Sequence, residues 1–540
     1  MGTQARPDER GHYYEGLNEH LLAVVPDAAR TIVEVGCANG RLGEALKRDR
    51  TDRSVIGVER DPHAAAIARQ RLDAVLEVDL EVDLPVIDPG SVDCVVFGDV
   101  LEHLRDPLPL LRAARSWLAP GGSIACSIPN IAHHSVLLQL VRGDLQYQPA
   151  GLLDTTHVRF YTYATIMKVL LEAGFAPDIA DIIEIRGRDH VVAAAQPMLD
   201  LLRVGQPQAA RHLNAYQYVV TATAVAIADG PARPITFVAC TNDPEQLQSN
   251  LLASPCLGPG SPHEVLLYEG MGSAAEGLNR GIREAKNDLV VLVHQDVYLP
   301  SWWPAQLTAQ WARAEEAGPV AVAGAFGVRY REGGRVHVGH VVDRDHLLAQ
   351  DVPLPARVDG LDEMLLVVPR DTPLRFDPRL GWHLYGTDLA LQAHAQGLEV
   401  AVLDLPCHHN SLLSGLDDSY HRSESVLART WPDELPIVTN SSTIDQDPAR
   451  AAVEAARAEV AAAREEAALE VERLRRELAE RAEAALEVER LRRELAEREE
   501  GAREAERVSQ ELAEREALIQ AITTTRTWRL RNSINRMLRR

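Results

Sequence analysis

The run TIVEVGCANGRLG, Thr31 to Gly43, constrains the fold more than any other stretch of this chain. Ile32, Val33 and Val35 predict a short buried strand. Gly36, Gly40 and Gly43 fall in the turn behind it, and Leu42 to Leu46 open a helix. Strand, glycine turn and helix form the repeating unit of a doubly wound α/β sheet, in which glycine lets backbone N–H groups approach a ligand that a Cβ would keep away. Glycine turns with no ligand are at least as common, so a second feature has to decide. It is Glu59, closing the next apolar run of Val55, Ile56, Gly57 and Val58. A carboxylate at that point can accept both ribose hydroxyls of a nucleoside.

These residues suit either NAD or S-adenosylmethionine (SAM). The runs DCVVFGDVLEHLRDP (Asp93–Pro107) and LAPGGSIACSIPN (Leu118–Asn130) resemble the fourth and fifth strands of class I SAM-dependent methyltransferases. GLLDTTHVRFYT (Gly151–Thr162) is similar to a branch of that family acting on sugars and cell-surface glycans. The resemblance extends over roughly the first 225 residues and implies a Rossmann-like domain that uses SAM. Ala38 departs from it, standing where the family's turn usually has a second glycine. Alanine there is expected to need a negative φ, which sets the loop slightly further from the ligand.

At 540 residues the chain has room for two or three domains. A net charge of −23 argues against a general nucleic-acid binder and for a soluble protein. The six cysteines are scattered without a CxxC pair, so structural zinc and a disulfide framework are not expected, as in a reducing cytoplasm. No signal peptide is expected in the first sixteen residues, nor a membrane-spanning helix anywhere. The protein is therefore expected in the cytoplasm, with peripheral attachment at the inner face of the plasma membrane as an option.

Four regions are expected. Residues 1–228 form the methyltransferase domain and end on the strand-like AYQYVVTATAVAIA. A Gly-Pro linker follows. A second α/β region covers 234–432, with strands at Ile235–Cys240, Val265–Tyr268, Leu289–Val293 and Val400–Leu403. Residues 449–520 are rich in Ala, Glu, Arg and Leu. AALEVERLRRELAER occurs there twice at an offset of 17, two heptads plus a three-residue stammer. A coiled coil that pairs chains fits this seam of Val471, Leu474 and Leu478. A solvated single helix, roughly 105 Å long at 1.5 Å per residue, fits too, supported by i,i+4 pairs such as Glu472–Arg476. Residues 521–540 carry six arginines and no acid, with Leu530, Ile534, Met537 and Leu538 on one helical face. Such a tail can rest on an anionic membrane or remain solvated.

Methyl transfer to a hydroxyl needs an in-line approach and a base for the acceptor's proton. The methyltransferase resemblance implies that Gly36, Gly40 and Glu59 hold the carboxypropyl and ribose parts of SAM. Asp79 would meet the adenine amino group, and Asp99 would face both cofactor and acceptor. His103, His133, His134 and His157 are the base candidates. His133 and His157 lead because the resemblance sets their loops over the acceptor, although a histidine among apolar residues is more often structural. Arg159 fits a phosphate or carboxylate on a glycan, and equally an ion pair with Asp154 or Glu172.

In the second region, EGLNRGIREAKNDLVVLVHQDVYLPSWW (Glu276–Trp303) resembles family-2 type glycosyltransferases of the GT-A fold. That resemblance implies a nucleotide sugar and a divalent metal, Mn²⁺ or Mg²⁺, on Asp296, with His294 in place of the usual first acid. A capping Asp296 at a buried strand end is the alternative. By the same resemblance Asp388 is the general base, His409 completes the metal site and Glu269 lies near the nucleobase. Asp388 could instead cap its helix. The expected architecture is thus α/β: a Rossmann-like methyltransferase domain, a GT-A domain and a long helical coiled coil. The expected job is O-methylation and glycosyl transfer on a bacterial surface polysaccharide or glycolipid. A silent second domain on a scaffold, or a nicotinamide-dependent first domain, are the competing expectations.

Overall fold

The computed structural model describes residues 17–185, 206–331, 334–350, 352–411, 416–445, 471, 509–521 and 535. The chain divides into two units, Met1–Gln446 and Asp447–Arg540.

The first sheet of the larger unit is built from β1 (Thr31–Val35), β2 (Ser54–Glu59), β3 (Ala74–Glu77), β4 (Val92–Gly98), β5 (Leu118–Pro129), β6 (Phe175–Glu184) and β7 (Ala215–Ala224). Their spatial order is β3-β2-β1-β4-β5-β7-β6. The first five run parallel, and β7 is antiparallel to both β5 and β6. Both faces are covered, which is why β1 and β4, Glu34 and Asp93 apart, carry apolar residues on both faces rather than alternating ones. Val33, Val35, Val95 and Phe97 enter the core on one face; Ile32, Cys94 and Val96 enter that on the other. Strand order reverses between β1 and β4, so a ligand crevice opens at their carboxyl ends.

A second seven-stranded sheet follows. Its order in space is Ala356–Arg357, Glu399–Val402, Val320–Gly324, Leu365–Pro369, Leu289–Val293, Ile235–Thr241, Glu264–Glu269. Leu365–Pro369 is antiparallel to both its neighbours. A smaller sheet beside it includes Val297–Tyr298, His408–His409 and Gly334–Asp343. It brings the end of Leu289–Val293 and the His408–His409 strand side by side, with Val297 opposite His409.

The first sheet and the second α/β region meet in part through polar contacts on the helix Tyr163–Glu172. Tyr163 donates its hydroxyl to Asn410 Oδ1 at 2.8 Å. Glu172 accepts the Ser301 N–H at 2.8 Å, and the Trp302 indole donates to the Leu171 carbonyl at 3.1 Å.

In the smaller unit, residues 509–521 are helical, with an Arg515–Glu511 pair one turn apart. The rest of the expected coiled coil (449–520) and of the basic tail (521–540) lies outside the described residues, save Val471 and Asn535. No described helix is long and apolar enough to cross a membrane.

Candidate functional site

The carboxyl ends of β1 to β4 carry the residues expected at the cofactor. Gly36 and Gly40 follow β1 with φ of +69° and +77°, the left-handed region glycine tolerates. Neither offers its N–H outward. Gly36 donates to the Val58 carbonyl at 2.8 Å and Gly40 to the Cys37 carbonyl at 2.7 Å. Their contribution is shape: a Cβ on Gly36 would lie 2.5 Å from Val100 Cγ2. Ala38 corrects the expectation of a negative φ, since it stands at +48°. Glu59 holds it there by accepting the Ala38 N–H on Oε2 at 2.8 Å.

Glu59, buried as the last residue of β2, also accepts the N–H groups of Arg60 and Asp61 on Oε1 at 2.9 and 2.8 Å. A carboxylate has about four lone-pair sites, so this arrangement keeps about one for a ribose hydroxyl rather than two. Asp79 lies exposed just beyond β3, its Oδ1 accepting the Glu81 N–H at 3.1 Å. Asp99 follows β4 at φ +54° and accepts from Ser127 Oγ at 3.0 Å and Gln217 Nε2 at 2.8 Å. Burial pushes its carboxyl up to about 6, against the pull of those two donors. A ring of polar side chains thus lines the crevice where strand order reverses, which suits a nucleoside with a charged tail.

The four histidines separate clearly. His133 is buried at the head of the helix His134–Arg142, where its Nδ1 accepts the Ser135 N–H at 3.3 Å. Its ring lies tilted against His134, centroids 4.0 Å apart, and meets Tyr216 edge-on. The structure thus places His133 as a helix cap within an aromatic cluster, apart from the His103–His157 pair.

His157 and His103 instead face each other edge-on at 4.9 Å. His157 Nδ1 is bound to the Leu152 carbonyl and His103 Nδ1 to the Thr156 carbonyl, each at 3.2 Å. Burial lowers the pKa of both, and in His103 the neighbouring His157 adds to it, so both rings are neutral near pH 7. Glu102 completes the group, and sequence reasoning missed it. It is 1% exposed, and neither carboxylate oxygen has a hydrogen-bond partner. Burial, reinforced by Asp99, raises its pKa well above the carboxylate range. The signal was present in the adjacent Glu-His of DVLEHL, directly after β4. Arg159 binds the Arg105 carbonyl through its guanidinium, rather than pairing with Asp154 or Glu172.

The second α/β region has its own cluster. His294, Asp296 and His409 offer ligand atoms within 4.8 Å of one another. His409 Nε2 is 3.5 Å and His294 Nδ1 4.0 Å from Asp296 Oδ1, a buried atom without a hydrogen bond. The far nitrogens are held from behind: His409 Nδ1 by Asp343 at 2.8 Å, His294 Nε2 by Tyr385 at 2.8 Å. Burial alone would lower His409, but Asp296 and Asp343 outweigh it and raise it well above the histidine range. Such a donor set fits a divalent metal, and its two imidazoles suit Mn²⁺ better than the oxygen-seeking Mg²⁺.

Asp388 does not join that cluster. It lies within the first turn of the helix Tyr385–Ala395, whose N-cap is Leu384, so it is not the cap either. It is 2% exposed and accepts from Trp431 Nε1 at 2.7 Å and Gln392 Nε2 at 2.6 Å. Those two bonds occupy about two of the carboxylate's four lone-pair sites and fix its orientation toward Trp431 and Gln392. Glu363, whose Oε1 accepts the Leu384 N–H at 3.0 Å, is the other buried acid here, pushed up to about 8 by burial and Asp362. Glu269 is exposed at the end of its strand beside Thr241.

Comparison with known proteins bears on the first region. Residues 10–178 match the family model described as a methyltransferase domain. A ubiquinone biosynthesis O-methyltransferase of Xanthomonas campestris pv. campestris is 34% identical over 131 residues, covering 23% of this chain and 54% of that protein. One from Cupriavidus pinatubonensis is 28% identical over 170 residues, covering 30% and 65%. The chain thus spans about half to two thirds of the length of these curated relatives. A SAM-dependent methyltransferase structure from Archaeoglobus fulgidus is 15% identical, with a TM-score of 0.29, over 40% of this chain and 99% of that one. The match over residues 10–178 supports a class I SAM-dependent methyltransferase domain, whose described residues form the Rossmann-like sheet β1–β5.

Proposed function

We propose that this chain is a SAM-dependent O-methyltransferase that modifies a hydroxyl of a glycan or glycolipid, with a glycosyltransferase in its second α/β region. The observation that carries the methyltransferase reading is the crevice at the strand-order reversal, where the glycine turn, Glu59 and Asp99 gather. When bound, SAM supplies a methyl group on a sulfonium. Glu59 accepts from the ribose, and the glycine turn leaves room for the amino-acid tail. The acceptor hydroxyl approaches from the Glu102–His103–His157 side. There the neutral His157, its Nδ1 proton held by the Leu152 carbonyl, has an Nε2 lone pair to receive a proton.

Calorimetry with S-adenosylhomocysteine tests the cofactor: Glu59→Ala is expected to weaken binding at least tenfold, and an unmeasurable affinity in the native chain would overturn the reading. Radiolabelled methyl transfer compared on surface glycans and on phenolic acceptors tests the substrate class. The curated relatives are named for ubiquinone biosynthesis, so labelled phenol without labelled glycan would replace the glycan assignment.

The glycosyltransferase reading rests on His294, Asp296 and His409, with Asp343 and Tyr385 behind them. These three would hold a divalent ion that neutralises the nucleotide-sugar diphosphate. Donor-sugar hydrolysis should depend on Mn²⁺ and be lost in Asp296→Ala; no difference would favour a binding module on a scaffold. The stalk region is proposed to pair chains, and the basic tail to bring both sites to a membrane-bound acceptor.

A further inference from the structure

The group formed by Glu102, His103 and His157 is arranged as a ligand set. Glu102 sits in the single turn Leu101–His103 directly after β4. Its backbone carbonyl accepts the N–H groups of Val158 and Arg159 at 3.0 and 3.1 Å, which pins the 154–160 loop above it. His157 Nε2 thereby comes to 3.9 Å from Glu102 Oε1. One carboxylate oxygen of Glu102 and one nitrogen of each imidazole supply three ligand atoms that all lie within 4.8 Å of one another.

Two independent features point to a ligand at their centre. First, the Glu102 side chain is almost wholly buried without a hydrogen bond on either oxygen. Burying an unpartnered polar group costs about 1–3 kcal/mol and more for a charged one, and protonation alone would not supply a partner. Second, both histidines have Nδ1 turned away to backbone carbonyls, Leu152 for His157 and Thr156 for His103. That outer-shell bond fixes the tautomer with the Nε2 lone pair free, as in metal-ligating histidines generally.

We infer that Glu102, His103 and His157 bind a divalent transition-metal ion that activates the acceptor hydroxyl of the methyl transfer. Two imidazoles and one carboxylate suit Zn²⁺, Mn²⁺, Fe²⁺ or Co²⁺ and not Ca²⁺, which takes six to eight oxygens. Three protein ligands leave a position for substrate. The acceptor oxygen coordinates there and its proton passes to water, because a bound cation lowers the pKa of a ligated hydroxyl. The oxygen–methyl bond then forms as the sulfur–methyl bond breaks, giving a methyl ether and a neutral thioether. This deepens the methyltransferase reading and rests on it. It also replaces His157 as base with His157 as ligand.

The full chain carrying Asp296→Ala, which disables the second cluster, is stripped with EDTA and titrated with Zn²⁺ and with Co²⁺. One ion per chain is expected. Co²⁺ should give visible d–d absorption typical of nitrogen ligation, and Glu102→Gln or the partly exposed His103→Ala should weaken binding at least tenfold. Affinity for S-adenosylhomocysteine, measured on the same samples, should stay within twofold, which separates ligand loss from misfolding. No ion bound, or binding untouched by both substitutions, would overturn the metal site. Full methyl transfer by the stripped protein would overturn its role and return His157 to the part of base. Loss of S-adenosylhomocysteine binding in the native chain would sink the methyltransferase reading instead, whatever the metal count.

Discussion

Glu34 shows how much a single residue can charge to the fold. It lies 5% exposed in the middle of β1 with one amide partner, the Gly43 N–H at 3.0 Å. Burial, with Glu59 adding to it, lifts its carboxyl from 4.5 to about 8. The unfolded chain therefore gives up this proton first, and between those two values the folded chain binds more protons. Stability conferred by this group falls as pH rises through that window, by an amount on the order of a few kcal/mol. Thermal unfolding at pH 5 and pH 8 should show the loss, and Glu34→Gln should flatten the difference. A pH profile unchanged by the substitution would contradict the assignment.

Ala38 is the complementary case, a residue held in a region its Cβ dislikes. Left-handed backbone costs alanine about 1–2 kcal/mol, and the greater freedom of glycine in the unfolded chain returns part of it. Ala38→Gly is therefore expected to stabilise by about 0.5–1 kcal/mol, read from denaturation midpoints. That Ala38 departs from glycine was legible in the chain itself. That a carboxylate 21 positions away would hold its N–H was not, because only strand pairing of β1 with β2 brings Glu59 there.

Among the elements, the helix Tyr163–Glu172 does two jobs. Its apolar face (Ile166, Met167, Leu170) fills the first core, while its two ends reach the second sheet. Glu172 accepts from the Ser301 N–H and hydroxyl and from Arg112. Glu172→Ala leaves the Ser301 amide without its partner, a loss of about 1–3 kcal/mol. Faster proteolysis within the connecting segment 225–234 is the expected reading, with the methyltransferase core still folded; unchanged cleavage would mean that this contact contributes nothing to docking. Composition suggested a plain linker between two separate regions at this point. The packing of Tyr163 on Asn410, next to His409, ties the helix to the second cluster instead.

For the whole molecule, every candidate site residue from Gly36 to His409 belongs to the unit that ends at Gln446. A chain stopped there should bind S-adenosylhomocysteine within twofold of the full chain by calorimetry, and a larger loss would mean that the remainder contributes to the site. Sedimentation of the two should differ in oligomeric state if the Ala-Glu-Arg-Leu repeat pairs chains, and equal states would leave it a solvated helix.

What the chain determined by itself is what short-range rules govern. A β-branched run, a glycine turn and a helix opening were readable because backbone sterics act within a few residues, and so was the Rossmann-like class of the first region. Tertiary structure decided which polar residues meet. It turned His133 into a cap and tied Asp388 to Trp431, and it set Glu102 without a partner beneath the loop that carries His157. Those outcomes depend on burial and on contacts distant in sequence, and desolvation, which gives a buried carboxylate its chemistry, exists only once the sheet and loop have closed around it.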